Sequence, residues 1–125
     1  MSEPTPLLAR SREEIRAARL LQESAFHAQA VSRAYYAAFY AASEALIALG
    51  VTRSRHSGVV AAFIQLVVKD GKLDGTVGQA LRSLFDQRSA ADYGDLPLAT
   101  EQSTEALEQA GHVVDAVEQW LSVRP

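Results

Sequence analysis

Apolar residues recur at three- and four-residue intervals along five stretches of the chain, and each stretch predicts a helix. From Leu8 to about Ser24, Ile15, Ala18 and Leu21 share one face, while Arg12, Arg16, Arg19 and Glu23 share another that reads as solvated. From about Ala25 to Leu49 the only formal charges are Arg33 and Glu44, so this second helix must be central. Spacing at 100° per residue puts Val31, Tyr35, Ala38, Phe39, Ala42, Leu46 and Leu49 on a core stripe. Arg33, Tyr36, Ala37, Tyr40 and Glu44 fall on the opposite side, where a second burial surface is expected, either a partner subunit or a lined cleft.

Gly50 is the expected C-cap, and the polar, basic run Thr52 to Gly58 follows as a connection. A third helix is expected from about Gly58 to Lys69, with Val59, Phe63 and Leu66 or Val67 inward, ending at Asp70-Gly71-Lys72. A fourth begins near Asp74 or Thr76 and carries Val77, Leu81, Leu84 and Phe85 toward Arg88. Tyr93-Gly94-Asp95-Leu96-Pro97 reads as a turn, and Thr100 as the N-cap of a last helix from about Glu101 to Val123. That helix turns Leu107, Ala110, Val114, Val117 and Leu121 inward and packs antiparallel against the bundle, leaving Glu101, Glu105, Glu108, Asp115 and Glu118 as a solvated acidic face. The expected fold is therefore all-α, an up-and-down antiparallel bundle of four to five helices in a single domain over residues 1–125. Pro4 and Pro6 predict an extended N-terminal tail over residues 1–7.

Composition sharpens this picture. Nine of the 22 alanines lie between Ala28 and Ala48, so the central helix is built to pack closely on more than one side. His27, Gln29, Ser32, Arg33, Ser43 and Glu44 interrupt it too often for a membrane span, which needs ~20 apolar residues. The absence of cysteine excludes disulfides, thiolate nucleophiles and Cys-ligated metals. The first residues lack a signal-peptide layout, so a cytoplasmic protein is expected. A net charge of -3 opposes non-specific coating of nucleic acid but permits a local basic cleft. His27, His56 and His112 form no ligand cluster, and Gly71, Gly75 and Gly78 form no phosphate loop, so neither metal nor cofactor is expected.

Two constellations remain: Ser32 to Phe39 inside the central helix, and Arg88-Ser89-Ala90-Ala91-Asp92-Tyr93 at the end of the fourth. Arg88 and Asp92 lie one turn apart and can pair. Together with Tyr93 they also suit a cleft mouth, with the guanidinium on a phosphate and the phenol stacking or hydrogen-bonding.

The ordered series SRAYYAAFYAASEAL, RHSGVV, RSAADYG and a C-terminal helix spaced as here resembles the prokaryotic HEPN domain, over about Leu8 to Leu121. The resemblance extends to the UPF0332 group of small helical proteins. It implies a helical bundle that forms a homodimer around a cleft and binds a nucleotide or RNA, often as a toxin component beside a minimal nucleotidyltransferase. Some members are metal-independent endoribonucleases that carry an arginine, a polar residue and, after four to six intervening residues, a histidine. Arg88 matches the arginine and Ser89 matches the polar position loosely. Where the histidine would fall, this chain has Tyr93, Gly94 and Asp95. A phenol with a pKa near ~10 is a poor base at neutral pH.

The resemblance thus implies a binding module without the usual catalytic histidine, its cleft lined by Arg33, Tyr36, Tyr40, Arg88, Asp92 and Tyr93. The alternatives are a ribonuclease using Arg88 with His56 or Tyr93 as the base, and a non-catalytic subunit that masks a nucleotidyltransferase.

Overall fold

The computed structural model describes residues 5–94 and 98–124, and the described residues form five α-helices. They are α1 (Pro6–Glu23), α2 (His27–Ala48), α3 (His56–Phe63), α4 (Gly75–Tyr93) and α5 (Thr100–Ser122). The all-α bundle expected from the periodicity is what forms, and no described helix is long and apolar enough to cross a membrane.

Several boundaries differ from the expectation, each for a local reason. The tail over residues 1–7 does not stay extended to its end, because Pro6 opens α1 and Thr5 caps it, its Oγ1 accepting from Leu8 N at 3.2 Å. Proline suits this first position because its missing N–H has no helical acceptor to lose. Residues 1–4 lie outside the described residues. His56 and Ser57, expected in the connection, are already helical. Tyr93, expected in a turn, is the last residue of α4, whereas residues 95–97 lie outside the described residues. Thr100 is the first residue of α5 rather than its cap; Ala99 takes that place, and its free N–H donates to the Gln102 side-chain oxygen at 2.9 Å.

Helix α2 is the hub, packed on α1, α4, α5 and α3. Ala30, Ala34, Ala37, Ala38, Ala41, Ala42 and Ala45 are fully buried, so neighbouring helices close on it from several sides. The side chains Val31, Tyr35, Leu46, Phe63, Leu81, Leu84, Val113, Val114 and Val117 fill the core around them. In α5 the buried stripe runs through Ser103, Ala106, Ala110, Val113, Val114 and Val117, while Leu107 and Leu121 sit at its edge.

The direction of α5 needs one correction. Arg12 meets Asp115 and Glu118, and Gln22 meets Thr104, so α5 runs antiparallel to α1. Thr76 meets His112 and Gln87 meets Gln109, so it is antiparallel to α4 as well. Yet His27 at the start of α2 bonds Ser103, and Arg124 bonds the Ala48 carbonyl at the end of α2, so α5 lies parallel to the hub. Among the four long helices α1, α2, α4 and α5 of an up-down-up-down bundle, the second and the last share a direction, and here they also touch. The Arg12 pairs correct a second expectation: Asp115 and Glu118 belong to a bridge between α1 and α5 rather than to a purely solvated face.

Between α2 and α4, α3 runs on into a π-helical turn over Ile64–Val68. Gly78 of α4 faces this turn, and a Cβ there would stand 3.3 Å from both γ carbons of Val68. Glycine lets α4 approach, which carries Phe85 and Arg88 toward the aromatic residues of α2.

Candidate functional site

Four aromatic residues occur in six positions of α2, namely Tyr35, Tyr36, Phe39 and Tyr40, and the start of α3 places His56 against them. The His56 ring stacks on Phe39 with centroids 4.1 Å apart and meets Tyr36 edge-on at 5.8 Å. Its Nδ1 lies 3.0 Å from the hydroxyl of Tyr35, a residue wholly buried in the core. From α4, Arg88 Nη2 donates to the Tyr36 hydroxyl at 3.2 Å, and its guanidinium stands 5.4 and 5.5 Å from the ring centres of Tyr35 and Tyr36. Three helices therefore bring an arginine, a histidine and two phenols together.

Arg88 holds donors in reserve. Its Nε lies 2.9 Å from Asp92 Oδ2, the expected one-turn ion pair, but the buried N–H has no well-directed acceptor along that line. The side chain keeps 25% of its surface exposed, so part of its guanidinium borders an open site. The Tyr36 oxygen accepts from Arg88, which leaves its own hydroxyl hydrogen to donate elsewhere.

Titration follows from these surroundings. Burial pushes the Tyr35 phenol well above its ordinary range, against the opposing pull of the Arg88 charge. Burial, and then the same charge, hold His56 below the usual histidine value, so its ring is neutral at pH 7. The site at rest thus pairs a neutral imidazole with the protonated phenol of Tyr35.

On the α1 side, Arg33 packs over Tyr36 at 4.9 Å and pairs with Glu14 at 3.0 Å, while Arg10 packs over Tyr40 at 4.8 Å. The stripe expected to be a second burial surface is thus half-buried beneath arginines, and Ala37 within it is fully buried. Arg10, Arg33 and Arg88 are set against Glu14, Asp92 and the Glu44 of the same stripe, so positive charge is concentrated at Arg88 rather than in excess over the whole face.

Of the residues singled out from sequence, Arg33, Tyr36, Tyr40, Arg88 and Asp92 lie along this face of α2 and α4, and His56 joins the same cluster through Tyr35 and Tyr36. Tyr93 stands apart at the end of α4 with 85% of its surface exposed, outside the aromatic cluster. Sequence reasoning missed Tyr35 as a polar participant because its position on the core stripe gave it only a packing role. Its hydroxyl was the available signal, since a buried tyrosine ordinarily finds a hydrogen-bond partner. Arg10 and Glu14 were missed because nothing in their own helix points to α2.

Comparison with known proteins agrees with this architecture. A family model described as "HEPN domain" matches residues 6–120. A "UPF0332 protein" from Thermotoga maritima is 38% identical over 113 residues, covering 90% of this chain and 86% of the relative. A Gloeobacter violaceus protein, also named as a UPF0332 protein, is 35% identical over 74% of this chain and 73% of its own length. A Methanocaldococcus jannaschii protein named "Putative toxin MJ0605" is 28% identical over 92% of this chain and 86% of its own length.

Proposed function

Because the chain belongs to the HEPN domain family, we propose that it is a nucleotide- or RNA-binding module of a toxin–antitoxin-type pair, which holds a phosphate group of its ligand between Arg88, His56 and Tyr36. The observation that carries this reading is a convergence of donors: the Arg88 guanidinium donates to the Tyr36 oxygen, the Tyr36 hydroxyl hydrogen is left to donate outward, and the His56 ring lies edge-on to Tyr36. Phosphate offers only acceptors, and a planar guanidinium matches its geometry. Tyr36 and Tyr40, already half-stacked beneath Arg33 and Arg10, supply aromatic surface for a base.

The remaining parts follow from the same face. A second copy of the chain covers the outer side of α2 to complete the cleft, with Asp92 orienting Arg88 and Tyr93 at the rim. A minimal nucleotidyltransferase is the partner protein, and the pair acts in the cytoplasm. No cofactor takes part.

Titration calorimetry with 5′-AMP and a short 5′-phosphorylated RNA tests the site. Binding is expected, and Arg88→Ala should weaken it at least tenfold, since a charged hydrogen bond to phosphate contributes about 1.5–3 kcal/mol. No binding of either probe, or unchanged affinity in Arg88→Ala, overturns the reading.

A metal-independent ribonuclease is the second reading. It is favoured by the approach of both His56 and the Arg88 guanidinium to the Tyr35 ring, which brings an imidazole and a cation into one site. It requires RNA cleavage in EDTA that both Arg88→Ala and His56→Ala abolish.

A further inference from the structure

We infer that Tyr35 is a positioning residue that locks His56 into the tautomer bearing its hydrogen on Nε2, making the imidazole a phosphate donor and withholding it from service as a base. The inference rests on the phosphate-holding site proposed above and assigns a role within it.

The hydrogen bond between Tyr35 Oη and His56 Nδ1 is 3.0 Å long, and two arrangements can make it. If Nδ1 carried the hydrogen and donated to the phenol oxygen, the Tyr35 hydroxyl hydrogen would need an acceptor of its own. Among the described residues it has none besides His56, and the Tyr35 side chain is cut off from solvent. An orphaned buried donor is costly enough to disfavour that arrangement on the order of tenfold or more. The phenol therefore donates, Nδ1 accepts, and the ring hydrogen sits on Nε2.

The neighbours reinforce this choice. The groups facing His56 are Tyr35, Tyr36 and Phe39 from α2 and the Arg88 guanidinium from α4, and none of them presents a carboxylate to the ring. The Arg88 charge opposes an imidazolium, and Phe39 stacking fixes the ring plane, so Nε2 projects a single N–H from a rigid mount. With one nitrogen occupied by the phenol and the other carrying a hydrogen, no lone pair is left to take a proton from a ribose hydroxyl. Arg88, Tyr36 and His56 then form a set of three donors, and neither Arg88 nor His56 offers the ligand an acceptor.

Long-range proton–nitrogen NMR of the imidazoles reads the tautomer directly in the free protein at pH 8, with His56 assigned by comparison with His56→Gln. The Nε2–H pattern is expected, and an Nδ1–H pattern overturns the inference. In Tyr35→Phe, which keeps the ring and removes only the hydroxyl, the ratio should shift toward a mixture of both forms. A ratio unchanged in that variant assigns the lock to something else and equally overturns the inference. Tyr35→Phe should also weaken 5′-AMP about fivefold, the loss expected when one ordinary hydrogen bond no longer orients the donor. Failure of 5′-AMP to bind wild-type protein would remove the phosphate site while leaving the tautomer result to stand or fall separately.

Discussion

Replacing Ala25 with glycine should stabilise this protein, against the usual direction of a substitution to glycine. Ala25 joins α1 to α2 with φ +65°, a left-handed conformation that L side chains rarely adopt. The chain is held there by a Schellman arrangement: Phe26 N donates to Leu21 O at 2.8 Å and Ala25 N to Gln22 O at 3.0 Å, satisfying carbonyls the helix end would leave open. A Cβ in this region costs roughly 1–2 kcal/mol relative to glycine. Glycine gives back about 0.4–1 kcal/mol through the greater freedom of the unfolded chain. The net gain is about 0.5–1 kcal/mol, and for a chain of 125 residues this raises the melting temperature by roughly 2–5 °C. Thermal and urea unfolding followed by circular dichroism would measure it. The turn matters to the site because it sets α1 against α2, and so places Arg10 and Glu14 over Tyr40 and Arg33. Ala25→Val, with a branched Cβ in the same conformation, should lose stability. An Ala25→Gly protein that melts lower than wild type, or an Ala25→Val protein that melts higher, refutes the strain argument.

Two further outcomes follow. His56 is held below its ordinary value in the folded state, whereas in the unfolded chain it accepts a proton near pH ~6.5; its contribution to stability is therefore complete above that pH and is lost as pH falls through the folded value. Urea unfolding between pH 5 and 8 should show this acid-side loss in wild type and less of it in His56→Gln; parallel curves would sink the assignment. Gly78→Val should lower the denaturant midpoint by the equivalent of about 1–3 kcal/mol, because its side chain would be driven into Val68 at the π-helical turn, and an unchanged midpoint would show that the turn yields freely.

Much of the architecture was legible in the chain itself. Periodicity located five helices, and the near absence of charge from Ala25 to Leu49 identified α2 as the hub, because only a helix buried on several sides can dispense with charged residues. The one-turn spacing of Arg88 and Asp92 announced their ion pair, since contacts within a helix depend on local geometry alone. The capping of α1 by Thr5 ahead of Pro6 is equally local: threonine followed by proline is a helix-start signal as well as a mark of the extended tail that the two prolines predict.

Contacts between helices depend on register, direction and close approach, which one helix's sequence does not carry. The pairing of Arg12 with Asp115 and Glu118 spans more than a hundred residues, and it turned two charges expected to face only water into a link between the first and last helices. The same reason hid the parallel run of α2 and α5.

For the site, the chain by itself supplied the residue types and their helical faces: Arg33, Tyr36 and Tyr40 on one side of α2, and Arg88 and Asp92 on α4. Tertiary structure alone decided that His56, twenty residues beyond Tyr36, folds back onto Phe39 and onto Tyr35, the ring that the Arg88 guanidinium also faces. It also converted Tyr35 from a core aromatic into the partner of an imidazole, because burial removed water as an acceptor and left His56 Nδ1 to take the hydroxyl hydrogen.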